Sequence, residues 1–409
     1  MKVFEPAQLG PKTLRNRTIK AATFEGRTRR GEVTDELIAF HREQAAGGVG
    51  MSTVAYCAVA PDGRVFRDCL VVGDQTRAGL EKLAQAVHDE GALVSAQLGH
   101  AGLVADSISN KQKSLAPSRR ISAPGKGLVP AATKADIARV TRDFASAARV
   151  LVDSGFDCLE VHLGHNYLLS SFLSPNLNKR KDEYGGSIAN RSAFPRGVLK
   201  AVRDAVGDEA AVIAKLNMVD GVAKGLPIED SLEAARLIEA DGALDAIQLT
   251  GGSSLLNGMY FFRGDVPLDD FVKTQPGWMA PFVRVFLKRI MPTYPFEEAF
   301  FLPMARQFRE ALDLPLVLLG GINRLETVQQ GLDEGFAFVA MGRALLREPN
   351  LIAQWEAGTK TAGACIHCNR CAPTIYSRGG TSCVERSSAA LGVGIAQPGS
   401  DASGTGAIQ

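Results

Sequence analysis

Short apolar runs alternate with amphipathic helical patterns along most of this chain. The runs fall at residues 17–22, 49–56, 92–98, 158–161, 211–216, 244–249, 314–319 and 336–341. Each is short enough for a strand, and most lack the polar alternation of a half-exposed one, so they predict strands buried on both faces. Helical spacing fills the gaps. Thr34 caps a first helix, with Asp35 and Glu36 in its first turn and Gly47-Gly48 at its end. Further helices are predicted at 76–90, 136–154, 187–206, 228–240, 298–312, 324–334 and 344–355. The clearest is 136–154, where Ile137, Val140, Phe144, Ala147 and Leu151 share one face. Eight strand–helix units predict an α/β fold, a TIM (β/α)8 barrel. A doubly wound open sheet would want a Gly-rich turn after its first strand, and the chain has none.

Two stretches break the rhythm. Residues 255–301 are rich in aromatics, Gly and Pro, and predict an extended insertion after strand six. Tyr260, Phe261, Phe262, Arg263 and Trp278 lie in it, and a lid over the site or a barrel-side packing excursion would both fit. After a barrel spanning 1–355 come a C-terminal cysteine-rich extension at 356–386 and a small, polar, Gly-rich tail at 387–409, read as disordered.

Barrel enzymes build their sites at the C-terminal ends of the strands. Strand three ends Gln97-Leu98-Gly99-His100. Strand four ends in a burst of proton-active groups, His162, His165 and Tyr167. Strand five ends Lys215-Leu216-Asn217, strand seven Gly320-Gly321, and strand eight Met341-Gly342-Arg343. Bare glycine backbone after strands seven and eight, with the Arg343 fork, suits a phosphate. The ligand predicted has its phosphorylated tail there and its head over Gln97 and Lys215. Singly, each residue has a plainer reading: Gln97 as a loop hydrogen-bonder, Lys215 as a snorkelling lysine, Tyr167 as packing. The two histidines could likewise be satisfied loop residues, though zinc would want a third ligand. Their convergence favours a site.

Composition removes several classes of partner. Of 409 residues 45% are hydrophobic and 22% charged, and 46 Lys plus Arg against 44 Asp plus Glu leave a net charge of +2. That balance argues against nucleic acid or an anionic membrane. No apolar run approaches the roughly 18 residues of a spanning helix, and the start, Met1-Lys2-Val3-Phe4-Glu5-Pro6, has no apolar signal region, so the expected location is cytoplasmic. Cys57, Cys69 and Cys158 sit in apolar settings and read as buried packing residues.

The run from Glu160 to Leu169, with Phe172-Leu173-Ser174-Pro175, Asn178-Lys179-Arg180, Asp182-Glu183-Tyr184-Gly185-Gly186-Ser187 and Asn190-Arg191, resembles the Old Yellow Enzyme family. The resemblance extends from Leu14-Arg15-Asn16-Arg17 through Gln97 to His100 and on to Ala340-Met341-Gly342-Arg343. It implies an FMN-dependent NAD(P)H oxidoreductase reducing activated C=C bonds of enones, nitroalkenes or enoyl thioesters. His162 and His165 would hold the acceptor oxygen and Tyr167 would donate the proton. Gln97 and Lys215 would meet the flavin ring, Thr23 and Phe24 its edge, and Gly320, Gly321, Gly342 and Arg343 its phosphate. Lys215 stands where the family usually has arginine. A dehydrogenase or demethylase of the trimethylamine dehydrogenase type, a flavin electron carrier, and a barrel aldolase or isomerase with a phosphorylated substrate are the alternatives. Partners beyond a small-molecule substrate, such as a second copy or an electron-transfer protein, stay open.

Four cysteines cluster at the end, Cys365-x2-Cys368-x2-Cys371-x11-Cys383. Four thiolates could hold a [4Fe–4S] cluster or zinc, or stay unmetallated. The stretch resembles the end of the flavin domain of the 2,4-dienoyl-CoA reductase branch, with one residue fewer between the second and third cysteines.

Overall fold

The computed structural model describes residues 1–122, 127–274, 277–377 and 379–386, so the expected tail at 387–409 lies outside the described residues. Eight parallel strands carry the fold: β1 (Thr18–Lys20), β2 (Met51–Ala58), β3 (Leu93–Gly99), β4 (Cys158–Leu163), β5 (Ala211–Asn217), β6 (Ala246–Thr250), β7 (Leu316–Leu319) and β8 (Phe338–Met341). Each pairs with the next, and β8 returns to β1 with Ala340 opposite Ile19, so the sheet closes into a barrel. The helices that follow in turn are α1 (Asp35–Ala46), α2 (Arg77–His88), α3 (Lys134–Asp153), α4 (Ile188–Val206), α5 (Ile228–Ala240), α6 (Leu302–Ala311), α7 (Leu325–Asp333) and α8 (Arg343–Arg347). This is the (β/α)8 barrel the hydrophobic pattern predicts. No helix among the described residues is long and apolar enough to cross a membrane.

The continuous apolar character of the strands is explained by two cores. Leu159, Val161 and Leu163 of β4 face outward and pack with Phe144 of α3 and Val198 of α4. Ile19, Met51, Cys158, Ala211, Ile213, Val317 and Phe338 face inward. Burying one such large side chain contributes about 1.5–3 kcal/mol. Leu9 and Leu14, from a hairpin of Ala7–Leu9 with Lys12–Leu14, join the inner set. They meet the first residues of several strands, so the hairpin plugs the N-terminal end and leaves the C-terminal end for chemistry.

Two helices differ from the sequence pattern. The helix predicted at 344–355 is two pieces, Arg343–Arg347 and Leu351–Glu356, because Pro349 lacks an N–H and cannot sit in a helix interior. The helix predicted from 298 starts at Leu302. Glu298 instead accepts from the backbone N–H groups of Asn323 (2.7 Å) and Arg324 (3.0 Å), and so clamps the loop after β7. At α3 the start is one turn clearer than periodicity suggests: Thr133 and Asp136 form a capping box.

Candidate active site

Strand alternation points Gln97 of β3, Glu160 and His162 of β4, Lys215 of β5, and Gln248 and Thr250 of β6 into the barrel, where all are buried. Register sets Gln97 beside Glu160, and Lys215 beside both His162 and Gln248. Above them lies a cavity of about 840 Å³. Gln97, His162, His165, Tyr167 and Lys215 line it together with Thr23, Phe24, Gly320, Gly321, Gly342 and Arg343. The structure thus brings together every flavin and substrate residue anticipated from sequence.

The turn after β4 is built to aim side chains. His165 and Asn166 both take the left-handed conformation, φ 60 each, which disfavours ordinary residues. The turn is held by three contacts. His165 N–H donates to Asn217 Oδ1 (3.0 Å), Ser254 N–H donates to the His165 carbonyl (3.0 Å), and Ser170 Oγ donates to the Gly164 carbonyl (2.7 Å). Beneath sits Asp220, which is buried and had no sequence signal. Its carboxylate accepts from Asn166 Nδ2 (3.0 Å), Asn217 Nδ2 (3.0 Å), Ser174 Oγ (2.5 Å) and Leu226 N–H (2.9 Å).

The three proton-active rings form one cluster. His162 lies edge-on to Tyr167 with centroids 4.6 Å apart, and to His165 at 5.2 Å. His165 Nε2 is 3.0 Å from the Thr250 hydroxyl, and the ring stacks on Phe261 at 4.5 Å. His162 Nδ1 is buried with no protein partner. Burial, then the nearby charge of Lys215, holds His165 down at about 3; burial, then His165 and Lys215, holds His162 well below the usual imidazole range. Burial pushes the Tyr167 phenol up, with Cys69 and Tyr376 adding to it. Two neutral imidazoles and a protonated phenol therefore face the cavity across the ordinary pH range.

Sequence reasoning missed Tyr56, which lines the same cavity, packs 5.4 Å from Tyr167 and donates to the Gly63 carbonyl at 3.0 Å. The register of β2 shifts between Val54 and Cys57, and that irregularity re-aims the side chain. It missed Glu25 too. Burial pushes that carboxyl up, but the charges of Lys20 and His41 outweigh it and leave it at about 2. Glu25 ion-pairs with Lys20 and accepts from Ala55 N–H (2.6 Å) and Thr23 Oγ (3.1 Å), fixing the loop that carries Thr23 and Phe24.

From the insertion, Phe261, Phe262, Phe271, Phe286 and Met291 line the cavity. Trp278 does not join them; that side chain is 77% exposed. Tyr260 and Arg263 pack beside the roof, the guanidinium lying over the Tyr260, Tyr294 and Phe300 rings. Arg343 lines the cavity, yet its Nη1 donates to the Arg263 carbonyl (2.9 Å) and to Asn369 Oδ1, so part of the fork is already engaged.

The residues fit FMN. A buried amide and a buried ammonium suit the polar edge of the ring. Gly320 (φ 118) and Gly321 (φ 72) keep the far wall bare, since a Cβ at either would stand 2.5 Å from Phe301 or Phe300. The four C-terminal cysteines fit a metal less well. All are free, and Cys371 lines the cavity, its thiol pushed up to about 12 by burial, with Arg343 pulling the other way. Among the described residues, however, no three His, Cys, Asp or Glu side chains gather closely enough to hold one metal ion.

A family model for the NADH:flavin oxidoreductase / NADH oxidase family matches residues 2–250. The chain belongs to this family. The 4,4'-dithiodibutanoate disulfide reductase of Rhodococcus erythropolis is 62% identical to it over 94% of this chain and 95% of that protein. A metal reductase of Desulforamulus reducens is 32% identical over 93% of this chain but only 53% of its own length. The multifunctional alkene reductase/demethylase OYE of Caballeronia cordobensis is 29% identical over 90% of this chain and 51% of its own length. The chain thus spans about half of these last two relatives. Among solved structures, the old yellow enzyme homologue from Zymomonas mobilis superposes with a TM-score of 0.71 at 22% identity, covering 93% of this chain and 99% of that one. Morphinone reductase gives 0.70 at 23%, covering 93% and 96%. At such identity these two matches establish the shared barrel fold.

Proposed function

We propose that this chain is an FMN-dependent NAD(P)H oxidoreductase that reduces a small organic acceptor held beneath Phe261. The observation that carries the proposal is the set of two neutral imidazoles and one protonated phenol, His162, His165 and Tyr167, facing a cavity floored by Gln97 and Lys215. FMN, when bound, would supply hydride drawn from NAD(P)H. Gln97 and Lys215 would hold its ring, Thr23 and Phe24 its edge, and Gly320, Gly321, Gly342 and Arg343 its phosphate. His162 and His165 would orient the acceptor and Tyr167 would hold the proton to be delivered. The apolar roof would exclude water. Among the described residues the four thiols do not gather into a ligand cage, so the proposed chemistry belongs to the barrel site alone.

The first acceptor class is an organic disulfide, which one hydride and one proton convert into two thiols. The 62% identity with the Rhodococcus disulfide reductase, over nearly the full length of both chains, supports it. The second is an activated alkene, supported by the imidazole pair, which suits an acceptor oxygen that gains negative charge. Anaerobic stopped-flow tests both. The purified protein should be yellow, be bleached by NADPH or NADH, and be reoxidised by a dicarboxylic disulfide or by an enone; the faster of the two names the class. Faster turnover of an amine than of either would favour a demethylase instead. A protein that binds no FMN ends the proposal.

A further inference from the structure

Glu160 is fully buried at the centre of the barrel and does not line the cavity. One of its oxygens, Oε1, accepts from both Gln97 Nε2 (2.6 Å) and Lys215 Nζ (3.0 Å). Those two side chains do line the cavity, from opposite sides of β4. The other oxygen, Oε2, is buried without a partner, and so are both polar atoms of Gln248, the neighbour of Lys215 in register. The Lys215 and Glu160 side chains are 3% and 0% exposed, so water does little to screen the pair. A carboxylate placed one layer below the floor, tied to Gln97 and Lys215, which would meet the flavin ring, is well sited to set how much positive charge the floor presents.

We infer that Glu160 is a positioning residue that fixes Gln97 and Lys215 under the flavin ring and, by pairing with Lys215, offsets its charge and so tunes the electron affinity of the cofactor. The inference rests on the FMN reading above. Removing the negative charge while keeping the shape leaves the ammonium unopposed. A reduced flavin is more negative than an oxidised one, so the unopposed ammonium favours reduction. It also favours addition of sulfite, which places negative charge on the oxidised ring.

The test is sulfite titration of the FMN-loaded protein, followed by absorbance, with the midpoint potential read by dye equilibration. Glu160→Gln should tighten sulfite binding by roughly tenfold or more, the order expected of one unit charge a few ångströms away in a poorly screened site, and raise the potential. Lys215→Gln should move both the other way. The double variant Glu160→Gln/Lys215→Gln should return to within about threefold of the parent, since the charges cancel in pairs. A merely structural Glu160 would leave sulfite affinity unchanged in Glu160→Gln while FMN stays bound, and that result overturns the inference. If Glu160→Gln loses FMN, the comparison of Lys215→Gln with the double variant decides: restoration by the second substitution supports it, and no restoration overturns it. Failure of the parent protein to bind FMN is a separate outcome and defeats the function proposal instead.

Discussion

Tyr167→Phe removes one oxygen from the cavity and little else. The ring is 9% exposed and keeps its packing on His162 (4.6 Å between centroids) and Tyr56 (5.4 Å), so the fold should persist. The phenol, raised by burial, is protonated at neutral pH and is a group that can deliver a proton. Its loss should therefore act only where the acceptor needs an acid. For an alkene, hydride reaches one carbon and a proton must reach the next; a positioned acid contributes about 10²–10⁴-fold, or about 3–5 kcal/mol. For a disulfide the group released is a thiolate, stable near its ordinary pKa of about 8.5, so the loss should be below about tenfold. Reduction by NADPH involves no acid from the protein and should be unchanged. Anaerobic stopped-flow, run separately with nicotinamide, enone and disulfide, resolves the three steps. An equal fall in all three would refute the assignment of Tyr167 as the acid and point to general damage of the cavity.

Three other outcomes follow from the same geometry. His165 is held at about 3, below its unfolded value, so between about pH 6.5 and 3 the unfolded chain binds a proton the native one does not, and stability falls with acid by up to about 1.4 kcal/mol per unit; in urea melts, His165→Gln should gain stability over the parent as pH drops from 7 to 5, and a constant difference would contradict the shift. Asp220→Ala strips the acceptor from four donors, so it should cost about 3–5 kcal/mol by chemical denaturation and raise KM for the acceptor, whereas a loss under about 1 kcal/mol would mean the turn holds itself. Gly321→Ala puts a Cβ 2.5 Å from Phe300 at φ 72 and should weaken FMN retention by roughly tenfold or more, read by fluorescence of released flavin; unchanged retention would separate that wall from the phosphate.

The barrel was legible because buried parallel strands need short apolar runs, and eight such runs alternate with helical patterns along the chain. The site was legible where polarity broke that rule, at Glu160, His162 and Lys215, because a charged or basic side chain inside a strand must have somewhere to go. What stayed hidden depends on contacts far apart in sequence. Tyr56 would point outward if β2 kept strict alternation, and only the shifted register turns it to the cavity. Asp220, in the run Met218-Val219-Asp220-Gly221, looks like an ordinary turn residue; its four donors come from segments as distant as Asn166. Phe261 and Trp278 belong to the same aromatic-rich insertion, and no period there separates the ring that roofs the site from the one that faces solvent.

The cysteine segment illustrates the same limit and changes what that segment is for. Spacing alone directs attention to its thiols, yet the contacts it makes are with the site's other walls. Asn369 donates to the carbonyls of Arg263 (3.0 Å) and Asp265 (2.9 Å) in the insertion while accepting from Arg343. Thr381 donates through its hydroxyl to the Phe24 carbonyl (2.7 Å) and through its N–H to the Glu25 carbonyl (2.7 Å). His367 stacks on Phe296, and His367, Cys371, Ile375 and Tyr376 face the cavity. One short segment therefore ties the loop after β1 to the roof after β6 and to the arginine after β8, three strand ends that the barrel by itself leaves independent. Its contribution to the site is geometric whether or not its thiols bind anything.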